Sequence, residues 1–198
     1  MKKMFPLLAC LTITACGSDS SDTPEPPTVV PALKADVCYL MSTNKGDMTL
    51  AIDLTNTPVT GQNFKDYVDS GFYDGTLFHR TINNFMIQGG GFTTGLVSKP
   101  TNDPIINEAS VGISNERNTI AMARTTNPDS ATSQFFINVL DNPHLDASAS
   151  NAGYAVFGQV ISGMDIADQI SIVPTLGNDV PVDEITIDTV AEVSCPTS

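Results

Sequence analysis

Short β-rich runs recur through most of the chain and leave room for only two helices, and this pattern constrains the fold more than any other feature. Val37 to Ser42 and Asp47 to Leu54 flank Thr43-Asn44-Lys45-Gly46, a turn sequence that predicts a hairpin. Further runs follow at Thr76–Ile82, Phe85–Gln88, Thr119–Ala123, Gln134–Val139, Tyr154–Val160 and Ile185–Val193, joined by connections rich in Gly, Asn, Pro and Ser. Helical spacing begins after Thr57 and Pro58, a cap and first-turn pair. There Phe64, Tyr67 and Val68 share one face, and Gly71 ends the pattern. A second helix is predicted over Met164–Ile170, with Ser162 as its cap. Many short strands and two short helices fit a closed or nearly closed antiparallel barrel. The connection from Thr93 to Asn118 is too long for a simple turn, so it is expected to be functional or to pack as an Ω-like segment.

With 198 residues, 41% apolar and 16% charged, the chain suffices for one domain with its own core plus a short appendage. The appendage is N-terminal. Lys2 and Lys3 precede an apolar stretch from Met4 to Ile13, too short to span a bilayer, and Ile13-Thr14-Ala15-Cys16-Gly17 follows. Small residues before a cysteine resemble a bacterial lipobox, which implies a signal peptide over residues 1–15 and lipidation at Cys16. Leu7-Leu8-Ala9-Cys10 fits the same pattern with a shorter apolar region, and a plain signal peptide is the other reading. Residues 16–36 are rich in Ser, Asp and Thr and carry Pro24, Pro26, Pro27 and Pro31. They read as a membrane-anchored tether for a domain over residues 37–195. Gly17, rather than Asp, after the lipidated cysteine favours the outer membrane.

Cys38 and Cys195 then remain, at the two ends of the domain. In an oxidising compartment a disulfide between them is expected; two buried free thiols are the alternative. The formal charge of −13 argues against a nucleic-acid partner, because a phosphate backbone needs a basic footprint.

Three clusters stand out: Phe78-His79-Arg80 through Phe85-Met86-Ile87-Gln88-Gly89-Gly90-Gly91-Phe92, then Ile120-Ala121-Met122-Ala123-Arg124, then Ser133-Gln134-Phe135-Phe136-Ile137-Asn138. Core strands explain most of the apolar residues, and a turn needing positive φ explains the triple glycine. They do not explain an arginine and glutamines inside apolar strands, since buried polar groups need partners. No nucleophile–base pair, carboxylate dyad or phosphate-cradling loop is apparent. The two histidines, His79 and His144, sit in no metal-ligand spacing. Non-covalent chemistry without cofactor or metal is expected.

From about Cys38 to Val193 the chain resembles the cyclophilins, specifically the bacterial periplasmic type. The Phe-His-Arg to Phe-Met-Ile-Gln-Gly-Gly block, Ala-Met-Ala-Arg, Ser-Gln-Phe-Phe-Ile and Gly-Tyr-Ala-Val-Phe-Gly occur in the family's order. The resemblance implies an eight-stranded antiparallel barrel with a helix capping each end, and a prolyl isomerase groove on one outer face. It implies Arg80 as the catalytic arginine. Phe85, Met86, Phe136 and Leu145 would wall the proline pocket. Gln88 and Gln134 would hold the peptide backbone, and Ala123 and Arg124 would line the edge along which substrate lies. His144 stands where many eukaryotic relatives have tryptophan, Tyr154 where they have histidine, and Asn83-Asn84 where a Pro-Gly turn is usual. His79 reads as a core-facing or barrel-end residue. The missing tryptophan implies weak binding of cyclosporin, the family's usual ligand. The partners implied are proline-containing stretches of exported polypeptides, met by a monomer on the periplasmic side of a Gram-negative envelope. A scaffold or chaperone with incidental activity is the competing reading.

Overall fold

The first two apolar runs form the expected hairpin, in which β1 (Val37–Thr43) pairs with β2 (Gly46–Ile52) through a tight turn. The computed structural model describes residues 30–196; the expected signal peptide, Cys16 and most of the expected tether lie outside the described residues. The later strands are β3 (Thr76–Ile82), β4 (Met86–Thr93), β5 (Val97–Ser98), β6 (Thr119–Met122), β7 (Phe135–Asn138), β8 (Val156–Ser162) and β9 (Ile185–Val193). All pairings are antiparallel, in the order β3-β9-β1-β2-β8-β6-β7-β4, and β4 pairs back onto β3. Eight strands therefore close a barrel, which leaves no open edge in the ring. The two-residue β5 is only an extension on the end of β4.

Alternation along each strand sends Tyr39, Met41, Met48, Leu50, Phe78, Ile87, Phe135, Ile137 and Phe157 inward, all essentially without solvent exposure. Helix α1 (Pro58–Asp69) adds Phe64, whose ring meets Tyr39, Tyr73, Phe135 and Phe157 at centroid distances of 5.0 to 6.0 Å. Helix α1 follows from the Ile52 end of β2 and packs Gly61 against the Asp53 carbonyl. Helix α2 (Met164–Ser171) instead lays Ile166 over Gly46 at the β1–β2 turn. The helices thus close opposite ends of the barrel.

Several local expectations need correction. Thr57 occupies the cap position of α1, but its side chain makes no capping bond and its hydroxyl donates to the Asp53 carbonyl at 3.4 Å. The first-turn N–H groups of Val59 and Thr60 donate instead to the Glu108 carboxylate, at 3.2 and 2.7 Å. The long 93–118 connection supplies that carboxylate, so its role here is structural: an anion fixed at a positive helix end. Ser162 ends β8, and Gly163 takes the cap of α2 at φ 80°. A Cβ at Gly163 would stand 2.2 Å from the Asp47 carbonyl, so no other residue fits where strand turns into helix over the hairpin. Gly89-Gly90-Gly91 is no turn: it lies inside β4, and only Gly90 has positive φ. A Cβ at Gly91 would meet Gln134 Cγ at 2.5 Å, which makes close side-chain approach the reason for glycine there.

Residues 32–36, read as part of the tether, lie against the barrel. Asp36 N donates to Ile52 O at 3.0 Å, Leu54 N to the Asp36 carboxylate at 2.7 Å, and Asn56 Nδ2 to Ala32 O at 3.0 Å. Polar backbone at the end of β2 needs partners, and this segment provides them. Cys38 in β1 and Cys195 just beyond β9 are joined by a disulfide, with Cα atoms 5.1 Å apart.

Candidate active site

The same alternation that fills the core builds a second, smaller apolar cluster on the outer face of the barrel. Met86, Ala121, Phe136 and Val156 are buried there, with Ile82, Phe85, Ala123, Leu145 and Tyr154 packed against them. Met86 and Gln88 share one face of β4 while Ile87 points into the core. Phe136 of β7 lies opposite Gln88 and Ala121. The β3–β4 turn at Asn83-Asn84, with Asn84 at φ 55°, brings Arg80 beside Gln88 as its cross-strand partner.

Phe85, Met86, Phe136 and Leu145 wall one recess, whose remaining lining is Arg80, Gln88, Ala123, Arg124 and Tyr154. Its volume of about 170 Å³ is below the roughly 300–1,000 Å³ of ordinary small-molecule sites. A single small side chain fits it. Tyr154 meets Phe136 edge-on, with ring centroids 5.6 Å apart. Gln134 lies just outside this recess, where its Oε1 accepts from Gln88 Nε2 at 2.9 Å, and it lines a neighbouring one. His144 is exposed on the turn over Pro143–Leu145 and lines neither recess; its ring stacks on Phe85 at 5.6 Å.

Two features were missed by sequence reasoning. A carboxylate does reach the site, since Arg80 Nε donates to Asp179 Oδ2 at 3.3 Å. Asn178 and Asp179 both hold left-handed backbone, at φ 63° and 61°, in a turn that presents the carboxylate to Arg80. Such backbone costs about 1–3 kcal/mol per non-glycine residue and clusters at functional sites. Gly177-Asn178-Asp179 carries the composition of such a turn, but no local signal names its partner across the fold. The second feature is a buried amide chain behind the pocket wall. Asn142 Nδ2 donates to Phe85 O at 2.9 Å and to Asn138 Oδ1 at 2.8 Å, and Asn138 Nδ2 donates to Thr119 Oγ1 at 2.9 Å.

His79, next to Arg80, is half-buried and its ring contacts Phe92 at 4.7 Å. Burial pushes its pKa down to about 4, and the adjacent Arg80 charge adds to the shift. Among the described residues no group of three or more His, Cys, Asp or Glu is placed to share a metal ion. The recess pairs permanent cations with apolar walls, an arrangement suited to binding and to electrostatic stabilisation rather than proton transfer.

Fold and site together define a β-barrel whose outer face offers one small apolar side chain a recess beside a fixed cation. A family model described as "Cyclophilin type peptidyl-prolyl cis-trans isomerase/CLD" matches residues 38–192. A peptidyl-prolyl cis-trans isomerase of Acinetobacter baylyi is 57% identical over 141 residues, which cover 71% of this chain and 75% of that one. Peptidyl-prolyl cis-trans isomerase B of Escherichia coli is 48% identical over 155 residues, covering 75% of this chain and 94% of that one. The crystal structure of a cyclophilin-type isomerase from Cryptosporidium parvum superposes with a TM-score of 0.68 at 27% identity, covering 81% of this chain and 99% of that chain. That protein also has a structure in the presence of the dipeptide Ala-Pro. The chain belongs to the cyclophilin-type peptidyl-prolyl cis-trans isomerase family.

Proposed function

We propose that this isomerase acts on X-Pro bonds of exported polypeptides, with Arg80 as the group that stabilises the twisted transition state. The observation that carries the reading is the position of the Arg80 guanidinium at a recess walled by Phe85, Met86, Phe136 and Leu145. Rotation about X-Pro breaks amide resonance against a barrier of about 18–20 kcal/mol, so the uncatalysed step takes tens to hundreds of seconds. In the twisted amide the proline nitrogen regains a localised lone pair. A guanidinium donor there stabilises that state more than the planar one, which is the condition for catalysis. The apolar walls hold the ring and exclude water, which strengthens the contact. Gln88 and Gln134, bonded to each other, and Ala123 would take the flanking backbone; Asp179 would hold Arg80 in its rotamer.

The wild-type domain should accelerate cis–trans exchange of a short X-Pro peptide, measured by NMR exchange. Arg80→Ala should lower kcat/KM by roughly 10²–10³-fold, the scale of one lost transition-state donor. An unchanged rate in that variant would remove the mechanism, and an inactive wild type would point to a scaffold.

The cellular setting rests on Lys2, Lys3, the apolar stretch and Cys16, with a lipid anchor and a short tether holding the barrel in the periplasm. The Cys38–Cys195 disulfide supports an oxidising compartment. Mass spectrometry of the mature N-terminus should find an acylated Cys16; an unmodified peptide spanning residues 14–18 would exclude the anchor.

A further inference from the structure

Arg124 lines two recesses at once. One is the pocket of Arg80 and Phe136; the other, about 150 Å³, continues from it past Gln88 and Ala123 to Thr125, Ser130 and Thr132. The guanidinium is held rigidly: Nε donates to Gly153 O at 2.8 Å, Nη1 donates to Thr125 O at 2.9 Å, and Cζ lies 4.5 Å from the Tyr154 ring centroid. Its Nη2 has no hydrogen-bond partner among the described residues.

The other two arginines of the chain are paired, Arg80 with Asp179 at 3.3 Å and Arg117 with Asp168 at 2.8 Å. Arg124 takes part in no ion pair among the described residues, although the sequence holds 22 acidic residues against nine basic ones. A guanidinium cannot discharge by losing its proton, and a half-buried charge without an anion is costly. Carbonyls and an aromatic face fix its position without neutralising it. The acidic surface leaves this rigid guanidinium unpaired among the described residues, with free donors, at the junction of the two recesses.

We infer that Arg124 forms a carboxylate subsite, and that the enzyme prefers X-Pro segments carrying Asp or Glu a few residues from the proline, on the side that lies toward Thr125 and Ser130. The inference rests on the prolyl isomerase reading of the neighbouring recess. A planar fork facing a carboxylate makes charge-assisted hydrogen bonds, which outweigh an exposed ion pair. The net charge repels an acidic peptide from a distance, so the preference is read as a ratio between matched peptides rather than as an absolute affinity.

The test measures kcat/KM by NMR exchange on peptides blocked at both ends, with Gln, Glu or Lys placed in turn at each of the three positions before and after proline. On one side of the proline only, Glu should exceed Gln by about three- to tenfold, and the ratio should fall with added salt. Arg124→Gln should bring that ratio to about one, Arg124→Lys should retain part of it, and Arg124→Glu should turn the preference toward Lys. A Glu-to-Gln ratio near one at every position, or a ratio that survives Arg124→Gln, overturns the inference. Turnover of the all-Gln peptide reports the isomerase reading separately. Where a protein turns over nothing, the same ratio of peptide affinities, titrated by NMR, decides the subsite.

Discussion

His79 shows how one side chain on the site strand carries a cost unrelated to the chemistry beside it. In the unfolded chain its imidazole titrates near 6.5; in the fold, burial lowers the pKa to about 4. Above about pH 6.5 the ring is neutral in both states and contributes nothing. Between about 6.5 and 4 the unfolded chain binds a proton that the folded one refuses, so stability falls as pH falls, and below about 4 the loss is complete. At pH 4.5 this amounts to about 2.5 kcal/mol. Denaturant unfolding at pH 7.5 and 4.5 should show His79→Phe losing about that much less than wild type; equal losses would refute the assignment. At this scale Arg80, Phe85, Met86, Gln88 and Phe136 were singled out through the family resemblance of their local blocks, and the fold brings them to one recess. Asp179 was not legible. It lies 99 residues from Arg80, and only barrel closure brings the two into contact.

Elements carry the pocket walls, and the wall nearest Phe85 depends on a loop rather than on a strand. The Asn142 amide bridges the Phe85 carbonyl and the Asn138 side chain, and the Leu145 N–H returns to the Asn142 carbonyl at 2.9 Å. One residue therefore reaches both walls, Phe85 through its side chain and Leu145 through its backbone carbonyl. Asn142→Ala should cost about 1–3 kcal/mol, since it leaves the buried Asn138 amide oxygen without its donor and leaves the Phe85 carbonyl with only the Val139 N–H at 3.1 Å. It should also raise KM more than it lowers kcat, because the wall loosens while Arg80 stays in place. Urea unfolding and peptide kinetics check the two arms, and an unaltered KM would show that the loop does not set the wall. Strand positions and the helix starts at Pro58 and Met164 were readable from residue type, whereas the groups that cap the helices were not. Thr57 and Ser162 have the right chemistry for caps, but Glu108 arrives from a distant loop and Gly163 is demanded by a backbone approach. Neither fact has a local signature.

At the scale of the molecule, the barrel closes where the ends of the domain meet, because β1 and β9 are neighbours and Cys38 is bonded to Cys195 across 157 residues. The bridge was expected because reading Cys10 as part of a signal peptide and Cys16 as lipidated leaves two of the four cysteines, whereas the barrel's strand order had no signal apart from the family likeness. Removing so long a cross-link frees the unfolded chain by about 5 kcal/mol on loop-entropy grounds. For a domain of this size that corresponds to a fall in Tm of about 10–20 °C. The β1–β9 ladder survives reduction in principle, so the reduced protein should still fold and still isomerise proline bonds at low temperature. Thermal unfolding with and without reductant, and of Cys38→Ala/Cys195→Ala, checks this, and identical Tm values would show that the bridge constrains nothing the strands do not. A large shift would also bear on where the protein works. A barrel that is marginal when reduced would hold its margin only in an oxidising compartment, where the disulfide forms, and that would fit the export and the lipid anchor on Cys16 proposed above.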